Sequence, residues 1–366
     1  MYFERSKNQT LRSIVAFLRL TVLGFPKLIL LLWGALCFSK TRRTPDWSYQ
    51  AMIWMFCESQ GKFNDLISRL IGFLNPKVSL VNRSGVLFEN FEAKQVESLV
   101  QQLRRDGFVL FPQRLPIEIC DRLMAFATKT PASVRKMDQE EKSKPNLITT
   151  FDFQCPLGVR YDFNPNDLLQ QPDVQDLLAD GSLLELAQEY LGCIPIADVL
   201  SMWWHTNFHD QPDSEAAQFF HFDMDRIKWL KIFIYLTDVG IENGPHSFVR
   251  GSHGSGAIPY DILRRGYVRL TDEEIEARYP RTDLFSFTAP RGSIIVEDTR
   301  GLHKGLNVKG APRLILQLQF SNSLFGSNYP EVKLGDTVSP KLSALLKSNP
   351  SIFSQYSQSN TPQSIN

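Results

Sequence analysis

Histidine is scarce and one-sided in this 366-residue chain: there are six, and none occurs before residue 205. Any chemistry that needs imidazole is therefore confined to the stretch from His205 to His303. Cysteine is thin as well. Cys37, Cys57, Cys120, Cys155 and Cys193 are scattered, odd in number and without CxxC spacing. That excludes a zinc module and a disulfide framework, and it suits a reducing compartment. An excess of one charge sign is lacking too, since the formal net charge is +1. Such a chain offers no broad field for nucleic acid, which is not expected as a partner. There is no internal repeat. The N-terminal apolar stretch Leu28 to Phe38 runs for only 11 residues, short of the roughly 20 that span a bilayer as a helix.

What the chain does have is a spaced set of metal-ligating residues. His221-Phe222-Asp223 is answered 82 residues later by His303, and ten residues beyond that by Arg313. Two imidazoles and one carboxylate are the ligand set of the facial triad that holds Fe(II) with one side open for a cosubstrate and O2. An arginine beyond the second histidine supplies a planar fork that grips the distal carboxylate of a keto acid. These residues point to an oxygenase that uses Fe(II), 2-oxoglutarate and O2.

A lone His-x-Asp arises readily by chance, so its setting matters. Gln218 to Met224 is rich in aromatics, and Trp229 to Thr237 reads as an alternating or fully buried strand. On a strand, residues i and i+2 share a face, which would aim His221 and Asp223 into one cavity. Gly292 to Glu297 reads as a further strand, leading to a glycine-flanked turn that carries His303. The chain then re-enters a strand at Arg313, with Leu314, Leu316, Leu318 and Phe320 on one face. Arg313, Gln317 and Gln319 share the other, the face that would hold a keto acid. Trp229, Lys231 and Tyr235 share a face of the strand after Asp223 and are candidates for the cosubstrate or substrate wall. Ordinary barrel packing explains Trp229 and Tyr235 equally well, whereas a buried lysine needs a partner.

The other histidines have plainer readings. His205 and His209 are four apart, but their neighbours read as strand and loop, not as a helical metal pair. His246 and His253 lie in a turn-rich block and are expected to shape that loop. Asp225 is the rival carboxylate, expected to support the ligands from behind.

Between Glu97 and about Phe325 the chain resembles the phytanoyl-CoA dioxygenase family of non-haem iron oxygenases. The resemblance rests on Leu99 to Pro112, on His221-x-Asp223, on Glu242-Asn-Gly-Pro245 with Gly251-Ser-His253, and on His303 followed by Arg313. It implies a double-stranded β-helix, that is, a jelly-roll, cupin-like barrel of packed antiparallel sheets with flanking helices and the metal at its open end. It also implies succinate and CO2 as products. Gly305 stands where such proteins often carry serine, and Arg250 where proline is expected. Neither change removes a ligand. Asp223 is present, which favours hydroxylation over halogenation.

Three regions are expected: an apolar helical extension over 1–75, the oxygenase domain over 76–330, and a polar tail over 331–366 that loses order toward its end. Within the domain, Glu97–Gly107, Pro116–Lys129 and Asp173–Tyr190 read as helices, and Asp138–Pro145 as a solvated loop. Gly254–Phe287 is an insertion between the ligand strands, either a lid or a surface decoration. The segment 13–57 reads as a peripheral helix pair on a membrane, as a helical extension packed on the barrel, or as a signal peptide without a clean cleavage site. Flanking basic residues place the protein in the cytoplasm or at the cytoplasmic face of a membrane. The expected substrate is a small molecule, with a lipid or acyl derivative suggested by the apolar N-terminus. Two other classes remain: a degenerate barrel serving as a membrane-tethered binding module, and a cupin-type metal-dependent hydrolase or isomerase.

Overall fold

Alternation along Arg313–Ser321 organises the protein. The structure, a computed structural model, describes residues 23–80, 85–88, 91–135, 147–213, 216–335 and 337–358. Its strands are β1 (Phe108–Leu110), β2 (Ala132–Val134), β3 (Ile148–Thr149), β4 (Arg160–Asp162), β5 (Ile196–His205), β6 (Trp229–Tyr235) and β7 (His246–Val249). They continue as β8 (Leu284–Ser286), β9 (Ile294–Glu297), β10 (His303–Gly305), β11 (Arg313–Ser321), β12 (Val332–Leu334) and β13 (Tyr356–Gln358). The helices are α1 (Leu23–Thr41), α2 (Asp46–Ser59), α3 (Lys62–Leu74), α4 (Ala93–Asp106), α5 (Ile117–Lys129) and α6 (Pro165–Leu168). The remaining five are α7 (Pro172–Leu178), α8 (Gly181–Leu191), α9 (Tyr260–Leu263), α10 (Asp272–Glu276) and α11 (Pro340–Ser348).

An eight-stranded antiparallel sheet runs in the order β1-β9-β6-β11-β5-β4-β2-β3, and β10-β7-β8 form a second sheet of three. Leu314, Leu316, Leu318 and Phe320 of β11 join Leu230, Ile232 and Ile234 of β6 on the outer face, under Val100 and Leu103 of α4 and Leu183 of α8. The opposite face turns Trp203, Phe233, Tyr235, Ile295 and Ile315 toward Phe248 of the small sheet. The strand period of two thus splits one strand between two cores, and the two facing sheets make the double-stranded β-helix. Gly107 ends α4 at φ +86°, where a Cβ would also come within 2.6 Å of His253 Nδ1. Only glycine makes that turn into β1 without strain.

Several elements differ from the sequence expectation. The helix expected over Asp173–Tyr190 is two, because Asp180 breaks it and caps α8 by accepting from Ser182 N and Leu183 N at 3.0 and 3.2 Å. The segment after 331 folds back: β12 and β13 pair in parallel, and Leu342, Ile352 and Phe353 enter the outer core. Residues 359–366 and the expected loop 138–145 lie outside the described residues. The end of the 254–287 insertion is barrel, since β8 is an edge strand of the small sheet. The helix α1 runs continuously through Pro26 and Lys27, beyond the apolar stretch Leu28 to Phe38. It has 19 residues and is long and apolar enough to cross a membrane by length and composition.

Leu316 is fully buried in the outer core, on a strand paired on both sides. Leu316→Ala is expected to cost about 2–5 kcal/mol, read as a lowered urea midpoint with an unchanged slope.

Candidate metal centre

His221 does not sit on a regular strand as expected; it makes an isolated bridge with His303. His221 N donates to His303 O at 3.0 Å and His303 N donates to His221 O at 2.8 Å. His303, expected in a turn, begins β10 and pairs with Phe248. This reciprocal pair brings the two imidazoles to 4.3 Å between ring centroids. Each ring is then oriented by the carbonyl two residues earlier. Nδ1 of His221 donates to Phe219 O at 2.9 Å, and Nδ1 of His303 to Gly301 O at 2.9 Å. With the proton on Nδ1, each Nε2 keeps a lone pair for a metal.

Asp223 completes the set. Its Oδ1 lies 3.7 Å from His221 Nε2 and its Oδ2 3.5 Å from His303 Nε2. The three ligand atoms lie within 4.8 Å of one another, and all three side chains are buried. Burial pushes both imidazoles below their ordinary range, so they are neutral and able to ligate. Burial alone would raise the Asp223 carboxyl. Lys231, 2.6 Å from Oδ2, outweighs it together with the two histidines and holds the acid well below the usual carboxylate range. Two neutral nitrogens and one ionised carboxylate are the donor set that Fe(II) takes, so the residues present fit the metal.

The other expected site residues divide. Lys231 and Gln317 line the same cavity of about 370 Å³ as the triad. Lys231 is held between Asp223 and Asp225, the latter at 3.2 Å, which gives this buried ammonium its partners. Trp229 is not on the cavity wall. It is fully buried and its Nε1 donates to Thr299 Oγ1 at 2.8 Å, because at the start of β6 the shared face lies under a loop instead of the cavity. Tyr235 is also withdrawn: its hydroxyl accepts from His246 N at 2.9 Å and its ring packs in the inner core. Phe233, between Lys231 and Tyr235, takes the wall position.

Arg313 opens β11 and is 1% exposed. Its Nη2 donates to Nδ1 of His205 at 2.8 Å, while Nε and Nη1 are buried without a well-formed hydrogen bond. No carboxylate pairs with it among the described residues. Gly305 leaves it room, since a Cβ there would come within 3.1 Å of Nη2.

Sequence reasoning missed two groups. His246 does not shape a loop: it begins β7, lines the cavity, and its Nε2 lies 2.8 Å from Glu297 Oε2. Burial pushes Glu297 up to about 8 and His246 down to about 3, so the pair is neutral. His205 was visible only as a strand residue; at the last position of β5, nothing in the sequence says which cation will face it. His209 is exposed in a loop, and His253 sits at the junction of α4 and β1. The Gly251-Ser-His block braces the candidate ligand His303. Ser252 Oγ donates to Val249 O and accepts from Leu302 N, both at 2.7 Å, fixing the residue before His303. Behind it Arg300 pairs with Asp298 at 2.7 Å, and Tyr190 donates to the same carboxylate at 2.6 Å.

A larger hollow of about 630 Å³, between residues 41–43 and Tyr329, contains no cluster of metal ligands among the described residues.

Residues 103–313 match the family model described as phytanoyl-CoA dioxygenase (PhyH). No match is found among curated proteins. Three similar solved structures are the epimerase SnoN in complex with Fe3+, alpha ketoglutarate and nogalamycin RO, EctD from S. alaskensis with bound Fe, and the carbocyclase SnoK from nogalamycin biosynthesis. SnoN is 18% identical over 63% of this chain and 84% of its own, with a TM-score of 0.43. EctD is 19% identical over 70% and 88%, with a TM-score of 0.41. SnoK is 13% identical over 65% and 86%, with a TM-score of 0.39. These likenesses are distant, and the assignment rests on the family match, which spans more than half the chain and contains His221, Asp223, His303 and Arg313. The chain belongs to the phytanoyl-CoA dioxygenase (PhyH) family of Fe(II) and 2-oxoglutarate dependent oxygenases.

Proposed function

We propose that this protein is a dioxygenase that hydroxylates an unactivated C–H bond of a small, lipid-like molecule and releases succinate and CO2. The observation that carries the reading is Arg313. A guanidinium buried without an acidic partner among the described residues, with two donors lacking a well-formed hydrogen bond and only the Tyr235 hydroxyl beside it, is costly unless a ligand brings an anion to it. The far carboxylate of 2-oxoglutarate is that anion. A binding module would have no use for this arrangement, and neither would a cupin-type hydrolase.

His221, Asp223 and His303 would hold Fe(II), which when bound supplies the activation of O2 and the oxidative decarboxylation of the keto acid. The chain's own residues prepare the site. Phe219 and Gly301 carbonyls fix the tautomer of each histidine. Lys231 orients Asp223 through Oδ2 and leaves Oδ1 unshared. Trp203, Phe233 and Ile315 exclude water along the wall between the triad and Arg313.

The lipid-like substrate and a peripheral membrane location at a cytoplasmic face, through the described part of residues 13–57, belong to the same proposal. Leu28, Ile29, Leu32, Trp33 and Leu36 of α1 are exposed, and only 17% of the helix window is buried. Lys40 in its last turn and Arg42 and Arg43 just after it are basic, as expected for a helix beside an anionic surface.

An anaerobic titration with Fe(II) and 2-oxoglutarate should give the visible charge-transfer band of the chelated keto acid. His303→Ala should abolish that band and turnover while shifting the apoprotein Tm by less than about 5 °C; retained turnover would remove His303 from the triad. Arg313→Lys should raise the KM for 2-oxoglutarate about 10–100-fold, a point charge replacing a fork. Incorporation of an 18O atom from labelled O2 into product separates hydroxylation from an epimerisation or cyclisation. Trp33→Asp with Leu36→Asp should move the full chain from the membrane to the soluble fraction; a wild-type chain found wholly soluble would refute the membrane location.

A further inference from the structure

The cavity holds more positive charge than iron and a keto acid can use. Three guanidiniums stand on neighbouring strands at its polar end. Arg313 on β11 and Arg160 on β4 both align with His205 of β5, and Arg135 follows β2, with its N–H donating to Arg160 O at 2.8 Å. Exposure rises along this row: the side chains of Arg160 and Arg135 are 15% and 37% exposed, against a fully enclosed Arg313. Arg160 lies 4.2 Å from the Trp203 ring and pairs with Asp162 at 2.7 Å, and Arg135 reaches Asp162 at 3.3 Å.

A further guanidinium comes from the insertion between the ligand strands. The bridge Phe220↔Leu270 ties that insertion to the segment of His221, so Tyr267 stands 6.4 Å from the His221 ring. Arg269 stacks on Tyr267 at 4.9 Å and donates to its hydroxyl at 3.1 Å. Both line the cavity, and no carboxylate pairs with Arg269 among the described residues. Five cationic side chains face the cavity (Arg135, Arg160, Lys231, Arg269, Arg313), against Asp223, Asp225 and the adjoining Asp162. A divalent metal and a dianionic keto acid cancel, and with Arg135 set aside, one positive charge is left over among the described residues.

We infer that the substrate carries an oxyanion, a phosphate or carboxylate group, and that Arg269 on the insertion and Arg160 on the barrel wall, which line the same cavity, bind it. The inference rests on the oxygenase reading and narrows its substrate class. An anion here is attracted down the row of guanidiniums, and the keto acid takes the innermost one. Arg160 is held flat by Trp203 and Asp162, so little side-chain entropy is lost when an oxyanion arrives. Arg269 rides on the insertion, whose function is then substrate selection.

The test uses the full chain, anaerobic and saturated with Fe(II) and 2-oxoglutarate, titrated calorimetrically with inorganic phosphate or with acetate while the charge-transfer band is watched. One probe or both should bind without removing the band, and whichever binds names the source of the oxyanion. Arg269→Gln should weaken that binding at least about tenfold, Arg269→Lys should recover part of it, and the exposed Arg264→Gln should leave it unchanged. Binding equal in wild type and Arg269→Gln, or no binding of either probe, would overturn the inference. Loss of the band in Arg269→Gln would overturn it too, by placing Arg269 on the keto acid. If no band forms in wild type, the oxygenase reading itself fails, which is a separate result.

Discussion

The reciprocal pair of backbone hydrogen bonds between His221 and His303 is the contact on which the rest of the site depends. It joins two segments 82 residues apart without help from regular strand pairing on the His221 side. Because the contact is made by backbone atoms, both side chains remain available. Each ring is then turned by a carbonyl of its own segment, and Asp223, two residues along, falls between them. Ser252, Arg300 and Asp298 are arranged around the His303 side of this contact. A surrounding shell of this kind is what keeps ligands in place before any metal arrives.

Much of this was legible in the sequence, and for definite reasons. Leu314, Leu316, Leu318 and Phe320 alternate with Arg313, Gln317 and Gln319, so the two faces of β11 could be told apart before any partner strand was known. His221, Asp223, His303 and Arg313 could be picked out because their chemistry is specific to their types. The sequence could not show which positions of a shared face reach the cavity. Trp229, Lys231, Phe233 and Tyr235 are equivalent by period, yet only the middle two line the site. The ends of β6 run under a loop and under the small sheet. Glu297 gave no signal at all, since a buried glutamate with a histidine partner reads like any strand-end carboxylate.

Electrostatics gives the cavity two zones. Around the triad, charge is compensated locally: Lys231 is clasped by Asp223 and Asp225, and His246 with Glu297 forms a neutral pair. Around Arg313 it is not, and burial keeps that imbalance from being screened by solvent. The polar zone therefore has a preferred direction for ligands, while the compensated zone is left for the metal. Gly305 lies at the border between them. A Cβ there would come within 3.1 Å of the buried guanidinium, on a strand that also carries the candidate ligand His303.

The family match ends at Arg313, the first residue of β11. The strand it touches runs on to Ser321, pairs with both β5 and β6, and places Leu314, Leu316, Leu318 and Phe320 in the outer core. The segment beyond adds Leu342, Ile352 and Phe353 to that same core. The stretch that is recognisable as a lineage and the stretch that folds as a unit are thus different lengths of chain. A fragment trimmed to the recognisable part would keep every ligand and the arginine, but it would lose the central strand that holds the two sheets in register.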